Sequence, residues 1–206
     1  LISAIDSVSS AISNYAANPG KDFSRNRKLP ADKLIRFLIA EGSSTTKNEL
    51  LDFFGMSEQS PSSSAFFQQR EKLKPEALKE VFDNFMESIP SCTDKHTGYR
   101  LIAADGSTAS YFSRDKYSPP DEYFISPGNS IKGAYSIHIN AFQDLDSHLY
   151  TDALLQPVHH KDEFRAFCTI VDRHPVVPGV KNIYIGDRGY CSYNNMAHVL
   201  QNEQYF

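Results

Sequence analysis

Apolar residues recur at helical spacing through the first part of the chain, then change period near Gly98. Pro30 opens a helix to about Glu41, with Leu34, Ile35, Leu38 and Ile39 on one face, and Gly42-Ser43-Ser44 ends it. A second helix covers about Thr46 to Phe54 with Leu50, Leu51 and Phe54 inward, and Gly55 stops it as a residue free to adopt positive φ. Ser60 before Pro61 reads as a cap followed by proline at the first helical position, opening a third helix to about Leu73. A fourth runs from Pro75 to Ile89, carrying Leu78, Val81, Phe82, Phe85, Met86 and Ile89 at helical spacing, and Pro90 stops it. Ahead of these, 1–28 is a Ser/Ala/Asn-rich leader broken at Asn18-Pro19-Gly20, with the signal of one weak helix at most.

Beyond Gly98 the alternation is that of strands. Tyr99 to Ala104, Lys132 to Phe142 and His148 to Leu155 predict three in succession, with loops signalled at Ser118-Pro119-Pro120 and Ser126-Pro127-Gly128. Asp162 to His174 predicts a helix with Phe164, Phe167, Cys168 and Val171 inward. Asn182 to Gly186 is a fourth, buried strand, and Ser192 to Gln201 a helix with Tyr193, Met196, Ala197 and Leu200 inward. Gln204-Tyr205-Phe206 has the start of another strand. Three strands before the first helix suit an antiparallel meander, and the later alternation suits parallel strands. The expected architecture is α/β: a helical region over 29–90, then a mixed-sheet core over 98–206.

Composition fits that picture: 206 residues, 40% hydrophobic and 22% charged, with a net charge of −4. No whole-chain basic signature for nucleic acid is present, but Lys21 to Arg36 concentrates Lys21, Arg25, Arg27, Lys28, Lys33 and Arg36 against Asp22 and Asp32. By composition alone that segment is a solvated surface. Cys92, Cys168 and Cys191 have no zinc or disulfide spacing and fit a reducing compartment. No apolar run approaches a membrane span. A first residue of Leu1 and a last of Phe206 give the expectation of a fragment.

The candidate chemistry rests on two aspartates. Asp105 closes Arg-Leu-Ile-Ala-Ala-Asp-Gly-Ser, and Asp187 closes Asn-Ile-Tyr-Ile-Gly-Asp within Gly-Asp-Arg-Gly-Tyr. Carboxylates at the carboxyl edge of an α/β sheet stand where ligands bind, and hard cations such as Mg²⁺ prefer oxygen ligands. Taken alone, each is equally a turn sequence. Four runs occur in order: Leu-Ile-Ala-Ala-Asp-Gly-Ser, Ile-His-Ile-Asn-Ala-Phe-Gln-Asp-Leu, Tyr-Thr-Asp-Ala-Leu-Leu-Gln-Pro and Ile-Gly-Asp-Arg-Gly-Tyr. In this order they resemble a DDE transposase of the insertion-sequence-4 type, over roughly Leu29 to Phe206 and most firmly from Arg100 onward.

The resemblance implies an incomplete ribonuclease-H-like core with Asp105 on strand one and Asp187 at the end of the adjacent strand four. Both would be catalytic and metal ligands for Mg²⁺, or Mn²⁺, in DNA cleavage and strand transfer. Asp105 would bridge two ions and Asp187 would hold one. The family's third acid, a glutamate within Tyr-x-x-Arg-x-x-x-Glu on a later helix, has no counterpart here. Glu203 is the only acid after Asp187 and stands at the end of the wrong helix, so the chain is expected to be catalytically crippled. The implied partner is double-stranded DNA at the terminal inverted repeats of an insertion element, bound by a monomer or a homodimer, in a bacterial-type cytoplasm near the nucleoid.

Thr46 to Leu73 has the outline of a helix-turn-helix, whose third helix would offer Ser62, Ser63, Ser64, Gln68, Gln69 and Arg70 to DNA, with Arg188 beside Asp187 auxiliary to phosphate. A structural helical bundle explains the same helices. Ser107 and Thr108 suit either phosphate or a turn. His159-His160 read as a polar loop entering a helix; even on a strand the adjacent side chains would face opposite ways and chelate poorly. His138 is expected to face away from Ile137 and Ile139. A haloacid-dehalogenase-like phosphatase is the less favoured enzyme, because Ser107 and Cys191 stand where that chemistry needs acids. A non-catalytic DNA-binding remnant is the alternative outside enzymes.

Overall fold

The computed structural model describes residues 1–25, 27–89, 98–111, 120–125, 133–174 and 179–206. Cys92, the stop at Pro90, the strand start at Lys132 and most of the two Pro-marked loop signals lie outside them. The chain divides into two compact units, Leu1–Pro90 and Ser91–Phe206.

The first unit is helical: α1 (Ile2–Ser10), α2 (Ile12–Tyr15), α3 (Ala31–Ala40), α4 (Thr46–Phe53), α5 (Ser63–Arg70) and α6 (Glu76–Glu87). The leader is not peripheral to it. Ala4, Ile5 and Val8 share one face of α1 and are buried with Ile35 of α3 and Ala77 and Val81 of α6. A second cluster gathers Leu29, Leu34, Phe37, Leu50 and Phe66, with Phe37 edge-on to Phe66 at 5.0 Å. Phe37, not Ile39, completes the inward face of α3, and Ile39 is exposed. The cap of α5 is Ser62, whose Oγ accepts from Ala65 N at 3.2 Å; the helix starts two residues later than Ser60-Pro61 suggests, and Ser60 Oγ is buried without a partner among the described residues. Residues 54–62 separate α4 from α5, longer than the three- or four-residue turn of a helix-turn-helix, so that outline is not realised.

The second unit is an α/β fold built on a mixed five-stranded sheet. Its strands are β1 (Tyr99–Tyr111), β2 (Phe124–Ile125), β3 (Ala134–Asp144), β4 (Tyr150–Pro157) and β5 (Lys181–Gly186). β3 pairs antiparallel with β1 on one side and with β2 and β4 on the other, and β5 runs parallel to β1. Beyond β5, Tyr205 makes a parallel bridge to Ile183, with Tyr184 N donating to Tyr205 O at 2.8 Å. β1 does not end at Asp105; it continues six residues further because β3 is long enough to pair with it up to Tyr111↔Tyr135.

The helices α7 (Glu163–Arg173) and α8 (Tyr193–Gln201) pack on one face of the sheet, against Ile102, Ala104, Phe142 and Tyr184. On α7 the buried set is Ala166, Phe167, Ile170 and Val171, whereas Phe164 is exposed. On α8 the expected face is wrong by one residue: Asn195 and Val199 are buried, while Tyr193 is 94% and Leu200 54% exposed. Asn195 is drawn inward because its Nδ2 satisfies Tyr190 O at 3.0 Å.

β3 presents the larger departure from hydrophobic patterning. Its helix-facing residues are Ser136, His138, Asn140, Phe142 and Asp144, all buried, while Ile137, Ile139 and Ala141 lie on the opposite face. Ile185 and Leu155 share that opposite face and are 44% and 63% exposed. The buried polar residues are tolerated because they are paired. Ser136 bonds Ser110 at 2.7 Å, His138 Nδ1 meets Thr108 Oγ1 at 3.2 Å, and Asn140 Nδ2 donates to Gln156 Oε1 at 3.1 Å. Asp144 receives Arg100 Nε and the Asp146 and Ser147 N–H groups.

Candidate active site

The parallel register of β1 and β5 ends at Ala104↔Gly186. Asp187 remains extended, at φ −72° and ψ 178°, so the next rung sets Asp105 beside Asp187. Side chains alternate along a strand, so Asp105 lies with Ala103 on the face away from α7 and α8, whereas Asp187, just beyond β5, also borders the hollow lined by Phe167, Asn195 and Val199. Both aspartates are exposed. Ser107, two residues on from Asp105, shares that face; Thr108 faces the other way and bonds His138 rather than capping a turn.

Local geometry orients each acid. Asp187 caps the short 3₁₀ turn Arg188–Tyr190, and its Oδ1 accepts from Gly189 N at 2.8 Å. A Cβ on residue 189 would lie 2.9 Å from that same oxygen, so any side chain there would displace the carboxylate from its bond to the 189 N–H. Asp105 Oδ1 takes Gly106 N at 2.8 Å. The second oxygen of each acid has no hydrogen-bond partner among the described residues and is available to a ligand.

Beneath Gly106, on the helix-facing side, three polar groups converge. A Cβ there would meet Tyr190 Oη at 3.0 Å, His138 Nε2 at 3.1 Å and Glu163 Oε1 at 3.2 Å. His138 is 2% exposed. Its Nε2 lies 3.1 Å from Glu163 Oε1 without hydrogen-bond alignment, and so is close to the carboxylate but unsatisfied. Tyr190 donates to Asn140 Oδ1 at 3.3 Å. Burial, then the charges of Glu163, Asp105 and Asp187, push the Tyr190 phenol up to about 12. The tyrosine of the second motif therefore ties the acid edge to the buried polar side of β3. By sequence Glu163 stands in the first turn of the helix Asp162 to His174, and nothing local signals that the fold brings it under Gly106.

Among the described residues no group of three or more His, Cys, Asp or Glu is arranged to hold a metal. The donor set at Asp105 and Asp187 fits a hard divalent ion that keeps several waters, since one oxygen of each acid is without a hydrogen-bond partner among the described residues. His159 and His160 sit on a 3₁₀ turn that leads into α7; His159 Nε2 contacts Phe124 O at 2.6 Å and His160 faces Glu122 at 3.8 Å. Glu203 lies by Lys181, 3.5 Å from its Nζ. Arg188 is exposed on the turn after Asp187.

In the first unit, Ser64, Gln68 and Arg70 are exposed on α5 and Ser63 is half-buried. Gln69 is 6% exposed and occupied: its Nε2 donates to Leu29 O at 3.3 Å and its Oε1 accepts from Lys72 Nζ at 2.8 Å. Arg70 lies over the Phe67 ring at 5.0 Å. No helix among the described residues is long and apolar enough to cross a membrane.

The fold and the paired acids define an α/β protein with a two-carboxylate sheet edge. Comparison with protein-family models, curated proteins and solved structures returned no match.

Proposed function

We propose that this chain carries a ribonuclease-H-like core of a DDE transposase of the insertion-sequence-4 type, acting on double-stranded DNA. The observation that carries the reading is the register Ala104↔Gly186, so that Asp105 and Asp187 are the residues that follow the last paired rung of two adjacent parallel strands. Three antiparallel strands, a parallel strand on the far side of the first, and the bridge at Tyr205 beyond it support the ribonuclease-H-like order. A phosphatase of the haloacid-dehalogenase type is disfavoured, because β1 runs on past Asp105 paired with β3 and leaves it within a strand.

Asp105 and Asp187 would hold Mg²⁺ or Mn²⁺ through their free oxygens. When bound, the ion supplies charge stabilisation to a phosphodiester under attack. The chain's own part is to fix the two carboxylates: the Gly189 N–H orients Asp187, and the pairing of β1 with β3 orients Asp105. Arg188, exposed beside Asp187, is placed to meet a phosphate. A non-catalytic DNA-binding protein is the second reading, favoured by the lack of a third acid at the pair among the described residues.

Titration of the chain with Mn²⁺, followed by its electron paramagnetic resonance signal, tests the site. Asp105→Asn and Asp187→Asn should each weaken binding by at least about tenfold, the lower end of what outer-shell changes alone cost. Unchanged binding in both would sink the assignment.

A further inference from the structure

The first unit holds an open cleft of about 1130 Å³ between residues 27–33 and 59–72. Arg27, Lys28, Lys33 and Lys72 line it with Gln59 and Gln68, and no carboxylate does. None of these four cations is in an ion pair among the described residues. Lys28 reaches the Glu58 carbonyl, Lys72 bonds Gln69 Oε1, and Lys33 lies over the Phe54 ring at 5.7 Å. A neighbouring hollow shares Arg27 and Lys72 and adds Lys21 and Arg25 against a single acid, Asp22. Unpaired cations concentrated in a concave site raise the local potential and attract a polyanion.

We propose that this cleft grips the phosphodiester backbone of duplex DNA without reading its sequence. The volume lies above the range of about 300–1,000 Å³ typical of small-molecule sites. No aromatic side chain lines the cleft, so it offers no platform for the unstacked bases of a single strand. Lysine, arginine and amide donors suit phosphate oxygens, contacts that fix position and carry no sequence information. The contact surface thus differs from a recognition helix: Ser63, Ser64 and Arg70 lie outside the lining, whereas Gln68 and the occupied Gln69 lie within it. The inference concerns the helical unit and does not depend on the metal reading.

The test is fluorescence anisotropy of the whole chain with a short labelled duplex, titrated between about 50 and 200 mM salt, where backbone binding falls steeply. The wild type should bind two unrelated duplex sequences within about twofold of each other, and duplex more tightly than single strand. The triple variant Arg27→Gln/Lys33→Gln/Lys72→Gln should lose at least about tenfold at low salt, with a shallower slope by about 0.9 for each contact removed. Arg70→Gln should bind as wild type. Gln68→Lys, which adds a cation, should tighten binding and steepen the slope, and guards against a triple variant that misfolds. Wild-type affinity in both the triple and the Gln68→Lys variants would overturn the proposal, as would preference for single strand or no duplex binding by the wild type. Mn²⁺ binding lost in Asp105→Asn would leave the metal reading standing in each of those cases, and its retention would sink that reading while leaving the cleft.

Discussion

His174 makes the α/β unit acid-sensitive. It follows α7 directly, its ring stacks on Tyr184 at 6.1 Å and meets Phe142 edge-on at 5.7 Å, and its Nδ1 lies 3.3 Å from Tyr184 Oη. Nε2 is buried without a partner among the described residues. Burial lowers its pKa from 6.5 to about 4; the charge of Asp152 opposes the shift and that of Arg100 adds to it. The unfolded chain therefore binds a proton that the folded chain refuses. Stability from this group is fully present above the unfolded value and is lost as pH falls from about 6.5 towards 4. The loss is about 2 kcal/mol between pH 7 and 5, and about 3 kcal/mol once both states are protonated. His174→Phe keeps an aromatic ring between Phe142 and Tyr184 and removes the titration. Urea unfolding at pH 7 and 5, read by hydrogen exchange in β3 and β5 peptides, should show the variant losing about 2 kcal/mol less than wild type over that interval. Equal losses would refute the burial argument.

Three further outcomes are expected. Burial works against the charge on Asp144, but the Ser147 N–H, the Arg100 guanidinium and the Asp146 N–H outweigh it and hold its carboxyl below the usual range. Asp144→Asn should thus cost about 3–5 kcal/mol in urea unfolding at neutral pH, because it strands a half-buried Arg100. The difference from wild type should shrink as the pH falls below about 4, where the carboxyl protonates first in the unfolded chain and only at lower pH in the folded one. Gly106→Ala should destabilise by about 1–3 kcal/mol through crowding of Tyr190, His138 and Glu163, and thermal unfolding would show it. Tyr190→Phe should cost about 1 kcal/mol for the lost bond to Asn140 and remove a phenol that titrates near 12 in alkaline absorbance.

The acid pair was legible because each motif is short and local: a strand, a carboxylate and a glycine within a few residues. Strand order placed them together only once the β1–β5 register was known. What the sequence hid were features decided by tertiary partners. Ser136, His138 and Asn140 face the helices against hydrophobic expectation, since Ser110, Thr108 and Gln156 satisfy them from neighbouring strands. Asn195 turns α8 by one position for the same reason. α1 was obscured by its serines, though Ala4, Ile5 and Val8 suffice to dock it once α3 and α6 are in place. β2 is two residues long among the described residues and is held by its pairing with β3 and by His159 at Phe124 O.

The inverted face of β3 has a consequence for how the unit reaches its fold. Shifting a strand by one residue exchanges its two faces. A slipped β3 would turn Ile137, Ile139 and Ala141 towards α7, a choice that apolar burial alone would favour. Native pairing instead gives bonds to Ser136, Asn140, Asp144 and the Nδ1 of His138, so polar matching selects the register while grease pulls the other way. Local and global preferences conflict here, which is frustration in the landscape sense. A variant that swaps those polar residues for apolar ones would remove the tie-breaker, and two strand registers would compete for the same chain.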